Sequence, residues 1–134
     1  MIALDASVLL DILTDDPRHA EASETLIADA LAREDVVVCD AVVAEVQAML
    51  DTSASLMEVL AGLGIRYQPT QEAAAMRAGH MYRRFRIRGG QGERVIGDFL
   101  IGAHALLQCD ALITRDAAFF RDYFKGLKLI VPSA

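Results

Sequence analysis

Four carboxylates stand where an ordinary apolar pattern would place hydrophobic residues or end. Asp5 closes the apolar run Ile2-Ala3-Leu4, and Asp116 lies just past the run from Ala111 to Thr114. Glu45 follows Val42 by three residues and precedes Met49 by four, so helical spacing puts it on an apolar stripe. Asp98 lines up in the same way with Ile101, Gly102 and Ala105. An ionised acid on such a face is costly without a compensating group. Taken singly, each acid is a helix cap or half of an ion pair, and Asp98 near a helix start is favoured by the helix dipole. Taken together at one sheet edge they repel one another, and a hard divalent cation offsets that repulsion. Mg²⁺ or Mn²⁺ suits an all-oxygen shell that keeps several waters, whereas zinc more often recruits His or Cys.

The remaining candidate ligands do not fit a metal pattern. His19, His80 and His104 have no ligand spacing and are read as surface or helix-packing residues. Cys39 and Cys109 border apolar runs, which predicts buried thiols and not a disulfide framework or a CxxC site.

Short apolar runs alternating with helical periodicity predict an α/β fold around a mostly parallel sheet of about five strands. Strands are expected at Ile2 to Asp5, Val36 to Cys39, Ile65 to Tyr67, Ala111 to Ile113 and Leu129 to Val131. Helices are expected from Ser7 to about Leu13, from Pro17 to about Arg33 and from an Asp40 cap through Leu50. Others should run from Asp51 or Thr52 to Gly62 or Gly64, from Thr70 to near Gly89, from Val95 to Leu107 and from Ala117 to Phe124. The carboxyl ends of parallel strands are where ligand crevices open. Asp5 and Asp116 therefore share an edge if their strands are neighbours.

With 134 residues the chain fits one domain, 1–134, and a hydrophobic fraction of 54% excludes the disordered class. No apolar run reaches membrane-spanning length and the N-terminus lacks a signal-peptide pattern, so a cytoplasmic protein without a membrane partner is expected. The net charge of −6 argues at first sight against nucleic acid. The charge is uneven, however. Residues 1–60 hold 2 Arg against 13 acids, and residues 61–134 hold 11 Lys and Arg against 6 acids. Arg77, Arg83, Arg84, Arg86, Arg88 and Arg94 cluster ahead of Asp98, with Tyr82 and Phe85 interleaved. A solvated helical face explains this stretch, and so does an RNA contact through Arg83, Arg84, Arg86, Arg88 and Arg94, with rings to stack on bases. Arg115 and Arg121 either face the crevice or pair with nearby acids.

The motifs Ile2-Ala3-Leu4-Asp5-Ala6-Ser7, Ala44-Glu45-Val46, Gly97-Asp98-Phe99-Leu100-Ile101-Gly102 and Leu112-Ile113-Thr114-Arg115-Asp116 occur in this order over nearly the whole chain. The sequence thereby resembles the PIN-domain ribonucleases, in particular the toxin subunits of VapBC toxin–antitoxin pairs. The resemblance implies a PIN-like fold and a Mg²⁺-dependent (or Mn²⁺-dependent) endoribonuclease. Asp5, Glu45, Asp98 and Asp116 would be catalytic, with Asp5, Asp98 and Asp116 as metal ligands and Ser7 and Thr114 in support. It also implies an RNA substrate, a small antitoxin whose segment covers the site, and a homodimer. Val8, Leu9, Ile12 and Leu13 offer a groove for that segment, unless they pack in the core. Two other readings stand beside it: a PIN-like RNA-processing nuclease without an antitoxin, and a noncatalytic, receiver-like Mg²⁺-binding module. Dinucleotide binding is disfavoured, because Gly62-Leu63-Gly64 is not a GxGxxG turn.

Overall fold

Three strands are buried at every position, β1 (Ile2–Leu4), β2 (Val36–Val38) and β4 (Ala111–Ile113). Continuous burial of aliphatic residues is the pattern of parallel strands covered by helices on both faces. Two shorter strands, β3 (Arg66–Tyr67) and β5 (Leu129–Ile130), form the edges. The computed structural model describes residues 1–50, 55–90 and 94–133. Its sheet has the order β3-β2-β1-β4-β5, and every neighbouring pair is parallel, with Ile2 opposite both Val36 and Ala111. The helices are α1 (Ala6–Leu13), α2 (Ala20–Arg33), α3 (Asp40–Met49), α4 (Leu56–Leu63), α5 (Glu72–Ile87), α6 (Ile96–Gln108) and α7 (Ala117–Tyr123). The fold is thus an α/β layer structure with a five-stranded parallel sheet, as the sequence pattern predicts.

The chain builds outward from β1 through β2 to β3, then returns to the other side of β1 for β4 and β5. That reversal leaves a crevice beyond the carboxyl ends of β1 and β4. Asp5 and Asp116 follow those two strands, as the sequence pattern anticipates.

Several boundaries differ from the sequence expectation for local reasons. The second helix begins at Ala20 and not at Pro17, because the Asp16 carboxylate accepts from the backbone N–H groups of Arg18 and His19 and holds a turn there. Asp40 is the first residue of α3 and not its cap, and its carboxylate reaches across to the backbone N–H of Thr70 at 2.9 Å. The expected start of the fourth helix at Asp51 or Thr52 falls outside the described residues, and its end is closed by Gly64 at φ +84°.

The core side of α6 sets the geometry of the second half. Phe99 sits among Tyr82, Phe85, Phe119, Tyr123 and Phe124, with ring centroids 5.1 to 6.3 Å away. Tyr82 and Phe85 are therefore half-buried packing residues and not free platforms for stacking on bases. Gly102 lets the Phe124 ring lie against the α6 backbone, since a Cβ there would be 2.3 Å from the ring. Cys39 is buried, Cys109 is half-buried, and both thiols are free.

Candidate active site

Asp5 is placed by β1 and by the helix that starts after it. It caps α1, its Oδ1 accepting from the backbone N–H of Ala6 at 2.8 Å. Its Oδ2 accepts from the hydroxyls of Thr114 at 2.7 Å and Ser7 at 3.0 Å. The Asp5 N–H donates to the carbonyl of Ile113 at 2.9 Å, so the pairing of β1 with β4 extends into the crevice. Each hydroxyl also accepts a bond from the β4–α7 turn. Thr114 Oγ1 takes the N–H of Asp116 at 2.9 Å, and Ser7 Oγ takes the N–H of Arg115 at 3.3 Å. With both hydroxyl protons directed at one carboxylate, Asp5 is held in a single orientation.

Asp98 lies in the first turn of α6, where its Oδ2 accepts from the Val95 N–H at 3.1 Å. Placing an acid at this position satisfies an otherwise unpaired N-terminal donor. Asp116 precedes α7, and its carboxylate is bound by the Arg94 guanidinium at 2.6 Å. The same guanidinium stands 4.0 Å from Asp98 and lies over the Phe119 ring, 4.1 Å from its centroid.

Glu45 requires a correction. The buried stripe of α3 is formed by Val42 and Val46, and Met49 is 67% exposed, so Glu45 does not project from an apolar face. It sits on the exposed side of α3 and still senses the crevice. Partial burial raises its carboxyl above the ordinary value of 4.5, and the charges of Asp5 and Asp98 push it the same way. Burial likewise raises Asp5 above its ordinary 3.8, opposed by its three hydrogen bonds and assisted by the charge of Asp98. For Asp98 burial again dominates upward, with the Val95 N–H and Arg94 pulling down and Asp116 pushing up.

The four acids therefore form one electrostatic cluster drawn from β1, α3, α6 and the β4–α7 turn. Among the described residues no three of these acids stand close enough together to hold a metal ion between them. An all-oxygen set of acids drawn from several elements, with Asp116 already paired to Arg94, fits a hard cation that keeps much of its water. Mg²⁺ has this character more than zinc.

A second acid network was missed by sequence reasoning. Asp11, 2% exposed, accepts a two-pronged bond from Arg115 at 2.7 and 2.8 Å and a bond from Ser23 Oγ at 2.8 Å. Arg115 is thus a partner of a buried acid and does not open into the crevice. The arginines of α5 also divide. Arg84 and Arg88 line one groove with Arg77, while Arg83 and Arg86 line another beside Tyr82. Of the expected groove residues near the N-terminus, Val8 and Leu9 are wholly buried in the core, and Ile12 and Leu13 are half-buried against it. They cannot offer an open docking surface together. His104 is buried on α6, while His80 is exposed and His19 half-buried.

No curated protein sequence matches the chain. Among solved structures, VapBC2 from Rickettsia felis bound to a DNA fragment from its promoter superposes with a TM-score of 0.73 at 16% identity, covering 99% of this chain and 100% of that one. FitAcB from Neisseria gonorrhoeae gives a TM-score of 0.65 at 25% identity, with 97% and 96% covered. VapC20 from Mycobacterium tuberculosis, a toxin that cleaves the sarcin-ricin loop, gives 0.59 at 14% identity, with 84% and 87% covered. The family model for the PIN domain matches residues 2–125. That span runs from the first strand through α7 and takes in all four crevice acids, and the chain belongs to the PIN domain family.

Proposed function

We propose that this protein is a Mg²⁺- or Mn²⁺-dependent endoribonuclease and the toxin of a type II toxin–antitoxin pair. The observation that carries the reading is the crevice itself. Asp5, Asp98 and Glu45, whose carboxyls are all raised, by burial first and then by the charge of a neighbouring acid, lie at the switch point of a PIN-family sheet. The similarity to VapBC and FitAcB structures, and to the RNA-cleaving VapC20, supports the toxin class.

In this reading Asp5, Asp98 and Asp116 would hold the cation, which would supply acidification of water and charge neutralisation at the phosphate. Thr114 and Ser7 take up Oδ2 of Asp5 and hold its carboxylate in one orientation, which leaves Oδ1, bound only by the Ala6 N–H, with acceptor capacity for the cation. Glu45, partly open to solvent with a raised carboxyl, orients the attacking water and accepts its proton. Arg94 sits between Asp116 and Asp98 and is placed to take a phosphate oxygen once the cation occupies the acids.

The protein partner is a small antitoxin that covers the crevice, and the chain associates as a homodimer. Exposed Met49, Met57, Val59 and Leu63 on α3 and α4 provide apolar surface for such contacts. Among the described residues no helix is long and apolar enough to cross a membrane.

The test is cleavage of single-stranded RNA by the purified chain with Mg²⁺, with EDTA, and with the Asp5→Asn and Asp98→Asn variants. Cleavage should require the metal and disappear in both variants while circular dichroism shows the fold retained. Undiminished cleavage by both variants overturns the assignment. Co-expression with the neighbouring reading frame should yield a stable complex. Its failure would favour an RNA-processing nuclease that acts without an antitoxin.

A further inference from the structure

The groove between α5 and α7 has a charge pattern that the acid crevice does not explain. It has a volume of about 280 Å³, and Arg77, Arg84, Arg88 and Lys125 line it against a single acid, Asp122, with Tyr123 on its wall. Arg77, Arg84 and Arg88 fall on one stripe of α5, two and three turns apart, and span about 16 Å along the helix. Among the described residues none of the four cations is in a salt bridge. Clustered cations repel one another, so a groove that keeps them together is suited to a polyanion.

The groove is continuous with the crevice. Arg94 binds Asp116 at 2.6 Å and covers Phe119 at 4.1 Å; Phe119 lies 5.5 Å from Tyr123, and the Arg88 guanidinium sits 5.9 Å above the Tyr123 ring. This row, two aromatic rings between two guanidiniums, leads from the acids to the upper end of the groove. Helix α7 starts at the crevice beside Asp116 and ends beside Lys125, so the groove descends the flank of the molecule away from the acids.

We infer that this groove is a binding track for the sugar–phosphate backbone of single-stranded RNA, holding the strand on one side of the scissile phosphate. The inference rests on the ribonuclease reading and extends it from the reacting phosphate to the rest of the strand. Met81, Leu106, Tyr123 and Phe124 make up the rest of the lining, and four cations against one acid beside such a surface suit a strand that offers both phosphates and base faces. It also narrows the arginine-rich stretch. Arg84 and Arg88 belong to the track together with Arg77 and Lys125, which the sequence pattern did not single out for RNA, whereas Arg83 and Arg86 face elsewhere.

The test uses the full chain carrying Asp98→Asn, so that RNA is bound and not cut. Binding of a labelled single-stranded RNA of about 20 nucleotides is followed by fluorescence anisotropy across a salt series. A track variant, Arg77→Gln/Arg84→Gln/Lys125→Gln, is compared with an off-track variant, Arg83→Gln/Arg86→Gln, and with Arg77→Lys/Arg84→Lys. Removing three phosphate contacts should lower the slope of log K against log salt by about 2 and weaken binding at least tenfold. The Lys variant should restore most of the slope, which a variant damaged only in folding would not show. An unchanged slope in the track variant, or an equal loss in the off-track variant, overturns the assignment and leaves the nuclease reading intact. If the track variant instead loses only a protein partner, the groove is a protein site and the inference fails. If the wild-type chain neither binds nor cuts RNA, both readings fail together.

Discussion

Replacing Arg115 with Met removes the counter-charge from a carboxylate that has almost no access to water. Asp11 is 2% exposed, and the two prongs from Arg115 at 2.7 and 2.8 Å meet both of its oxygens, with Ser23 Oγ adding a third donor at 2.8 Å. Removing one member of a buried pair costs about 3–5 kcal/mol, because the other is left charged and unpaired. The Arg115 side chain is 34% exposed, so water can reach the vacated side, and the loss should lie near the lower limit, about 3 kcal/mol. For 134 residues that corresponds to a fall in Tm of about 10 °C. Asp11→Asn acts on the other side of the pair. It keeps an acceptor for Ser23 and frees a guanidinium that can rehydrate, so it should cost only about 1.5 kcal/mol.

Urea unfolding in EDTA, followed by far-UV circular dichroism, measures both losses without a metal contribution. The double variant should cost little more than Asp11→Asn alone and less than Arg115→Met, since a neutral Asn no longer needs the guanidinium. A loss below about 1 kcal/mol for Arg115→Met would place the pair among ordinary surface bridges and refute the reasoning. So would Asp11→Asn proving the costlier of the two.

In metal-free protein the raised carboxyls of Asp5, Asp98 and Glu45 mean that the fold retains protons the unfolded chain has released. Their contribution is full below the ordinary values of 3.8 and 4.5 and is lost as pH rises through the raised ones. Asp98→Asn should therefore lessen that loss and raise Tm at pH 7 in EDTA, and a lower Tm would contradict the repulsion argument. Magnesium at about 100 times its Kd should add about 2.7 kcal/mol to the wild type, and differential scanning calorimetry should find this gain absent in Asp5→Asn and Asp98→Asn. His104 works in the opposite direction. Burial lowers its imidazole below 6.5, offset in part by Asp40 and a hydrogen bond to the Gln68 backbone, so its contribution is present above pH 6.5 and lost as pH falls. His104→Leu should flatten that acid limb in a pH series of urea midpoints. Gly102→Ala should destabilise by about 2 kcal/mol despite the better helix propensity of Ala, because the new Cβ collides with the Phe124 ring; a stabilised variant would show that the ring can move aside.

The elements and two of the acids were legible because their signals are local. A run such as Ile2-Ala3-Leu4 followed by Asp5 carries strand, strand end and capping carboxylate within four residues. Asp98 is placed by its spacing to Ile101, Gly102 and Ala105, all of which are buried. Glu45 was misread because Val42 and Met49 define one helical stripe and Val42 and Val46 another. Only packing against the rest of the chain selects the second. The Asp11–Arg115 pair joins residues 104 positions apart, a distance over which apolar periodicity says nothing. The arginines of α5 look like one cluster in sequence, but neighbours along a helix point to different faces. Helix geometry sends Arg83 and Arg86 away from Arg84 and Arg88.

These long-range contacts change what the net charge of −6 implies. The Asp11–Arg115 clamp joins α1 to the β4–α7 turn, and the N–H of Arg115 bonds Ser7 while Thr114 and Ser7 bond Asp5. An acid from the first half of the chain thus fixes a turn from the second half, and that turn brings Asp116 to the crevice. Four of the 19 acids lie at the crevice, where a divalent cation would offset them, and much of the positive charge descends the α5–α7 flank from the same edge. Affinity for a phosphate chain should therefore follow the local groove and the bound cation. A substitution that alters net charge far from either, such as Glu24→Gln on exposed α2, should leave the salt slope of RNA binding unchanged.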